Sequence, residues 1–141
     1  MRQIQPHLLW LGHAGDGRDF QTLLDTGIQA IVQLALEEPA LQPPRELLHF
    51  RIPLVDGPGN DEKHLYLATT TVANLLEKRV PTLICCGAGL SRSPAVAAAA
   101  LSMVHQQDLD DSLKQVAEHH PADVAPGFWN DVKGFVASDR I

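Results

Sequence analysis

Cys86 and Arg92 are separated by five residues in the stretch "LICCGAGLSRSPAVAAAAL", residues 83–101. A thiolate is a strong nucleophile, and a guanidinium offers a planar fork of donors that matches two oxygens of a tetrahedral anion. The apolar run before Cys86 reads as a strand, and the run after Arg92 reads as a helix. Strand, tight loop and helix N-terminus together aim backbone N–H groups and a helix dipole at one point, which makes an anion site. The ring comprises Gly87, Ala88, Gly89, Leu90, Ser91 and Arg92, and Gly87 and Gly89 supply the close winding it needs. A thiol at its centre is favoured as the thiolate. Cys86 alone would read as a small buried hydrophobe at a strand end. The spacing, the glycines and a serine on each side of Arg92 favour a nucleophile and an anion clamp acting on one substrate.

The elements that must hold this loop alternate along the chain as α/β. Leu8–Leu11 is a candidate strand, with a shorter one at Gln3–Gln5. A first helix carries Phe20, Leu23 and Leu24, with Asp16 as N-cap and Gly27 as C-terminal cap. Strands follow at 30–34 and 47–53, then a loop, VDGPGND, at 55–61. A long amphipathic helix over 61–79 buries Leu65, Ala68, Val72, Leu75 and Leu76. The strand at 81–85 feeds the glycine loop, and the helix beyond is expected to begin at Ser93-Pro94. One later helix holds Leu109, Leu113 and Val116. The last begins near Pro126, with Phe128, Val132, Phe135 and Val136 as its apolar face. The expected fold is a single α/β domain over 1–141, a mixed, mostly parallel sheet of about five strands flanked by helices. The anion loop lies between the last strand and a helix, and ligands of open α/β sheets bind at such carboxyl ends.

The chain has 141 residues, 45% hydrophobic and 20% charged, with a formal net charge of -6. That length suffices for one core without metal or disulfide staples. The negative balance argues against nucleic acid as partner. No run is long enough to span a bilayer and the N-terminus is not a secretory signal, so no membrane association is expected. Adjacent Cα atoms lie about 3.8 Å apart, below the roughly 4.4–6.8 Å of relaxed disulfides. Cys85 and Cys86 therefore point to free thiols and a reducing, cytoplasmic setting.

Residues 86–93, Cys-Gly-Ala-Gly-Leu-Ser-Arg-Ser, resemble the signature loop of cysteine-dependent protein phosphatases, and Ala-Gly-x-Ser-Arg-Ser more narrowly resembles their dual-specificity branch. "IQPHLLWLGHAGDGRDFQTLLDTGIQAIVQLA" resembles the opening of that branch, "FRIPLVDGPGND" its general-acid loop and "HPADVAPGFWNDVKGF" its final helix. The resemblance covers nearly the whole chain. It implies a cysteinyl-phosphate intermediate formed on Cys86, oxygens held by Arg92 and the loop N–H groups, and a hydroxyl on Ser93 that bonds the departing thiolate. A helix N-cap is the other reading of Ser93, and Ser91 reads as a loop-shaping hydroxyl. No cofactor and no metal are implied.

Phosphoryl transfer to sulfur needs a carboxylic acid for the leaving oxygen. Asp56, at a strand end and the start of a mobile glycine loop, is the candidate; Asp61, which suits a helix start, is the competitor. Where the family usually has histidine before the nucleophile this chain has Cys85, read as a buried thiol in that place. His119 and His120 read as a solvated helix end, and His49 and His64 as packing or surface residues. The expected substrate is a phosphoprotein, on tyrosine and serine or threonine, or else a small phosphorylated metabolite. No docking domain is expected. Competing readings are a phosphate-binding pseudophosphatase and a sulfur transferase of the rhodanese type.

Overall fold

The computed structural model describes residues 1–139, and its strands form one five-stranded sheet in the order β1-β2-β5-β3-β4. The strands are β1 (Arg2–Gln3), β2 (Leu9–Gly12), β3 (Ala30–Ala35), β4 (Leu48–Leu54) and β5 (Thr82–Cys85). β1 runs antiparallel to β2; every other pairing is parallel. The helices are α1 (Ala14–Arg18), α2 (Phe20–Thr26), α3 (Glu62–Glu77), α4 (Arg92–His105), α5 (Leu109–Ala117) and α6 (Pro126–Asp139).

Strand alternation divides the core in two. Ile31, Leu83 and Cys85 face a small cluster with Leu23, Ile28 and Leu47 on the α1–α2 side. Val32, Leu34 and Ile84 face the larger cluster built with α3 to α6. β3 and β5 are buried along their whole length, as parallel strands covered on both faces must be. α4 lies deepest: Ala95 and Ala97 through Ala100 are fully buried. Their small side chains let the helix backbone approach the sheet closely behind the glycine loop.

The elements fall where the patterns place them, with local corrections. The first helix is two helices. His13 caps α1 in a capping box with Asp16 at its third position, so Asp16 is not the N-cap; Asp19 caps α2. Leu24 is exposed, leaving Leu23 to anchor α2. Gly27 ends α2 in the left-handed region at φ 92°, where glycine has no Cβ penalty. α3 buries Leu65, Ala68, Val72 and Leu75, while Leu76 is half-buried. α4 begins at Arg92, ahead of Ser93. Phe128, Val132, Phe135 and Val136 of α6 are buried. Among the described residues, no helix is long and apolar enough to cross a membrane.

Candidate active site

Because β2, β5, β3 and β4 run in the same direction, their carboxyl ends share one edge of the sheet. Cys85 pairs with Gly12 on one side and Gln33 on the other, and Ala35 pairs with Leu54. The residues just past those ends are His13, Cys86, Glu37 and Asp56. Topology thus gathers onto one edge side chains that are far apart in sequence.

The loop after β5 is fastened from two sides. Ala14 N–H donates to the Gly87 carbonyl at 3.0 Å, and Asp123 N–H donates to the Leu90 carbonyl at 2.7 Å. Gly89 has φ 79°, and a Cβ there would lie 2.8 Å from the Gly12 carbonyl oxygen. Only glycine meets both conditions without displacement. At Gly87 a Cβ would crowd the ion pair instead, falling 2.9 Å from a Glu37 carboxylate oxygen and 3.1 Å from Arg92 Nη2. Ala88 and Leu90 are exposed and Ser91 is buried.

Arg92, at the first position of α4, is 4% exposed. Its Nη1 donates to Glu37 Oε1 at 2.6 Å and to the Leu54 carbonyl at 2.9 Å, and its Nη2 donates to Glu37 Oε2 at 2.5 Å. This bidentate pair fixes the guanidinium plane. It holds the Glu37 carboxyl down at about 2, chiefly through the hydrogen bond from Arg92, and raises Arg92 correspondingly. Arg51 steadies the segment that carries Glu37 by donating to the carbonyls of Leu36 and Glu38. A guanidinium has five N–H donors; Nε, buried, has no protein partner. The edge formed by Nε and the second Nη2 hydrogen is left without an acceptor.

Asp56 is brought to the loop by a hydrogen bond from Ser91 Oγ to its Oδ1, 2.6 Å long. Asp61 does something else: it is the N-cap of α3 and accepts from Lys63 N–H at 2.8 Å. The segment between them, expected to be mobile, is tied down. Asn60 bonds both polar groups of the Val55 backbone, Gly59 N–H donates to Asp131 of α6, and Gly127 of α6 packs against Pro58.

Cys86 and Cys85 are both free and both buried. Burial, then the neighbouring Cys86, pushes the Cys85 thiol up to about 12, so it stays protonated and serves as packing. Ser93 is fully buried and its Oγ has no protein partner. It is not the helix N-cap; that position belongs to Ser91, whose side chain makes no capping bond. The first-turn N–H groups of α4 are therefore without a side-chain cap.

Sequence reasoning missed Glu37. Its only signal was a carboxylate just past the end of a buried strand, in "AIVQLALEE". His120 was also misread: it is buried, bonds the Pro121 carbonyl at 2.7 Å, and is shifted downward by that burial. His49 packs against Gln33 and His64 is exposed. Trp129 is half-buried against the core beside the fully buried Phe128. Among the described residues no group of three or more His, Cys, Asp or Glu is arranged to hold a metal.

A buried thiol at the end of a central parallel strand, a glycine loop and an oriented arginine at a helix start stand together at one edge of the sheet, the parts that an oxyanion site of the cysteine–arginine class requires. The family model described as dual specificity phosphatase, catalytic domain, matches residues 9–135. The chain belongs to the dual specificity phosphatase family. It is 28% identical over 128 residues to mouse dual specificity protein phosphatase 14, covering 88% of this chain and 63% of the length of that relative. Human DUSP28 superposes with a TM-score of 0.86 at 25% identity, covering 99% of this chain and 98% of that one. A mouse putative dual specificity phosphatase, solved complexed with zinc tungstate, superposes with a TM-score of 0.84 at 25% identity, over 97% and 86% of the two chains.

Proposed function

We propose that residues 1–141 form one catalytic unit that hydrolyses phosphate monoesters through a cysteinyl-phosphate intermediate. The observation that carries this reading is the unpaired edge of Arg92. A buried donor without an acceptor costs about 1–3 kcal/mol, and here it is pinned by Glu37 over the loop that holds Cys86. Three equatorial phosphate oxygens would satisfy that edge and the backbone N–H groups of Gly87 to Arg92. Preorganised donors of this kind are usually the largest contribution to phosphoryl transfer. Support also comes from the mouse structural relative, complexed with zinc tungstate, since tungstate is a tetrahedral oxyanion like phosphate.

In the first step Cys86 Sγ attacks phosphorus. The S–P bond forms, the ester P–O bond breaks, and Asp56 gives its proton to the leaving oxygen. In the second, water attacks phosphorus, its proton passes to Asp56, the S–P bond breaks and inorganic phosphate leaves. The buried hydroxyl of Ser93, which has no protein partner, donates to the departing sulfur. Tyrosine- and serine- or threonine-phosphorylated proteins are the substrates by family membership, with small phosphorylated metabolites as the alternative. The loop interior, Gly-Ala-Gly-Leu-Ser, has no basic side chain to select a polyanion.

The test is hydrolysis of p-nitrophenyl phosphate by wild type, Cys86→Ser and Asp56→Ala. Turnover by wild type, none by Cys86→Ser and a loss of about 10²–10⁴-fold in Asp56→Ala support the reading. No turnover by reduced wild type that still binds inorganic phosphate would replace it with a recognition module.

A further inference from the structure

Ser91 occupies the N-cap position of α4, where a serine hydroxyl ordinarily accepts from an N–H of its own helix. It makes no such bond. Its hydroxyl is turned outward from the helix, donating to Asp56 Oδ1 at 2.6 Å and accepting from Ala125 N–H at 2.9 Å. The residue is 7% exposed, so neither bond competes freely with water. A hydroxyl has one hydrogen and two lone pairs. The Ala125 N–H can only donate, which commits one lone pair and leaves the hydrogen to Asp56. Asp56 itself is on an exposed loop, and Ser91 is its hydrogen-bond partner in the phosphate loop. One carboxyl oxygen is thereby held by the loop, and Oδ2 is not engaged by that bond.

We propose that Ser91 is a positioning residue for Asp56: it holds Oδ1 so that Oδ2 carries the proton exchanged with the leaving oxygen and then with water. The inference rests on Asp56 being the acid. It also explains why the helix gives up a side-chain cap: the same rotation that delivers the hydroxyl to Asp56 leaves the first-turn N–H groups of α4 to the anion. Ser91 thus touches no phosphate oxygen through its hydroxyl, and its contribution to anion binding is its backbone N–H.

A residue that acts through the acid must matter most when the leaving group is poor. The experiment measures kcat/KM for phenyl phosphate and for p-nitrophenyl phosphate, and inhibition by inorganic phosphate. The proteins are wild type, Ser91→Ala, Ser91→Thr, Asp56→Ala and the Ser91→Ala/Asp56→Ala double variant, each checked by thermal melting. Should Ser91→Ala not fold, Ser91→Gly takes its place. Ser91→Ala is expected to lose about tenfold or more on phenyl phosphate and about threefold or less on p-nitrophenyl phosphate, within the range open to general acid catalysis. Ser91→Thr, which keeps the hydroxyl, should recover most of that loss. In the Asp56→Ala background, Ser91→Ala should have no further effect, the non-additivity expected of residues acting as one unit. Phosphate inhibition should be the same in Ser91→Ala and Ser91→Thr as in wild type. Equal losses on both substrates, or a full additional loss without Asp56, would overturn the positioning role and leave Ser91 a loop-shaping residue. An unaffected Asp56→Ala would instead overturn the acid assignment, and an inactive wild type the hydrolase reading and this inference with it.

Discussion

Cys85 and Cys86 are neighbours in the chain and occupy opposite faces of the sheet. Cys85 closes β5 and points to the thin side, among Leu23, Ile28, Ile31 and Leu83. It is so tightly packed that a Cβ on Gly17 would lie 2.8 Å from its sulfur. Cys86 belongs to the thick side and opens the loop that ends at Arg92. Both are free thiols of equal intrinsic chemistry. The difference is that one is buried among apolar side chains, and that burial, with the adjacent Cys86, keeps it protonated. The other meets a glycine loop, an uncapped helix start and a guanidinium. Strand alternation gives two neighbouring thiols two different surroundings.

The largest effect that could break this contrast is the exchange of roles. Cys86→Ser should abolish p-nitrophenyl phosphate hydrolysis, while folded Cys85→Ser should stay within about threefold of wild type in activity, its buried hydroxyl costing about 1–3 kcal/mol of stability instead. A dead Cys85→Ser that remains folded would overturn the division of labour. Next comes Arg92→Lys, which keeps charge but loses the fork. A fall of about 10²–10³-fold in kcat, the usual cost of an oxyanion donor, is expected by steady-state assay. Gly89→Ala should follow, because a left-handed φ and a Cβ against the Gly12 carbonyl act together. Urea unfolding should show a loss of about 2–3 kcal/mol, with activity falling in parallel.

Glu37→Gln sharpens the comparison at smaller amplitude. Removing half of the bidentate pair loosens Arg92, and inhibition by inorganic phosphate should weaken about three- to tenfold. The same pair has a pH signature. The Glu37 carboxyl lies at about 2 when folded, against 4.5 ordinarily. The unfolded chain therefore binds its proton more readily across that window. Its stabilisation is fully present above pH 4.5 and is lost as pH falls towards 2. Glu37→Gln should flatten the acid limb of a urea-midpoint profile there, an effect muted by the solvent exposure of the carboxylate.

Much of this was legible because it is local. The cysteine–arginine spacing, the apolar stripe of α3, the Gly27 cap and the buried face of α6 are each set by residues close together in sequence, and periodicity reads such features. The mostly parallel sheet followed from alternation of strands and helices, whereas the order of its strands came only with the structure. What escaped was convergence. Glu37 meets Arg92 across 55 positions, and Ser91 meets Asp56 across 35; both meetings exist only once parallel strands end on a common edge. The first helix misled for a subtler reason. Asp16 and Asp19 are both good caps, and His13, a residue seldom chosen for the task, took the first start, turning Asp16 into its reciprocal partner.

The ties between α6 and the acid loop have a practical meaning. Gly127 rests on Pro58, Asp131 holds Gly59, and Ala125, just before the helix, hangs from Ser91. These contacts join the last helix to the segment that carries Asp56 without passing through the sheet. A truncation that takes away α6 removes the first two of them. Variants trimmed at that end belong in the same assay table as Asp56→Ala.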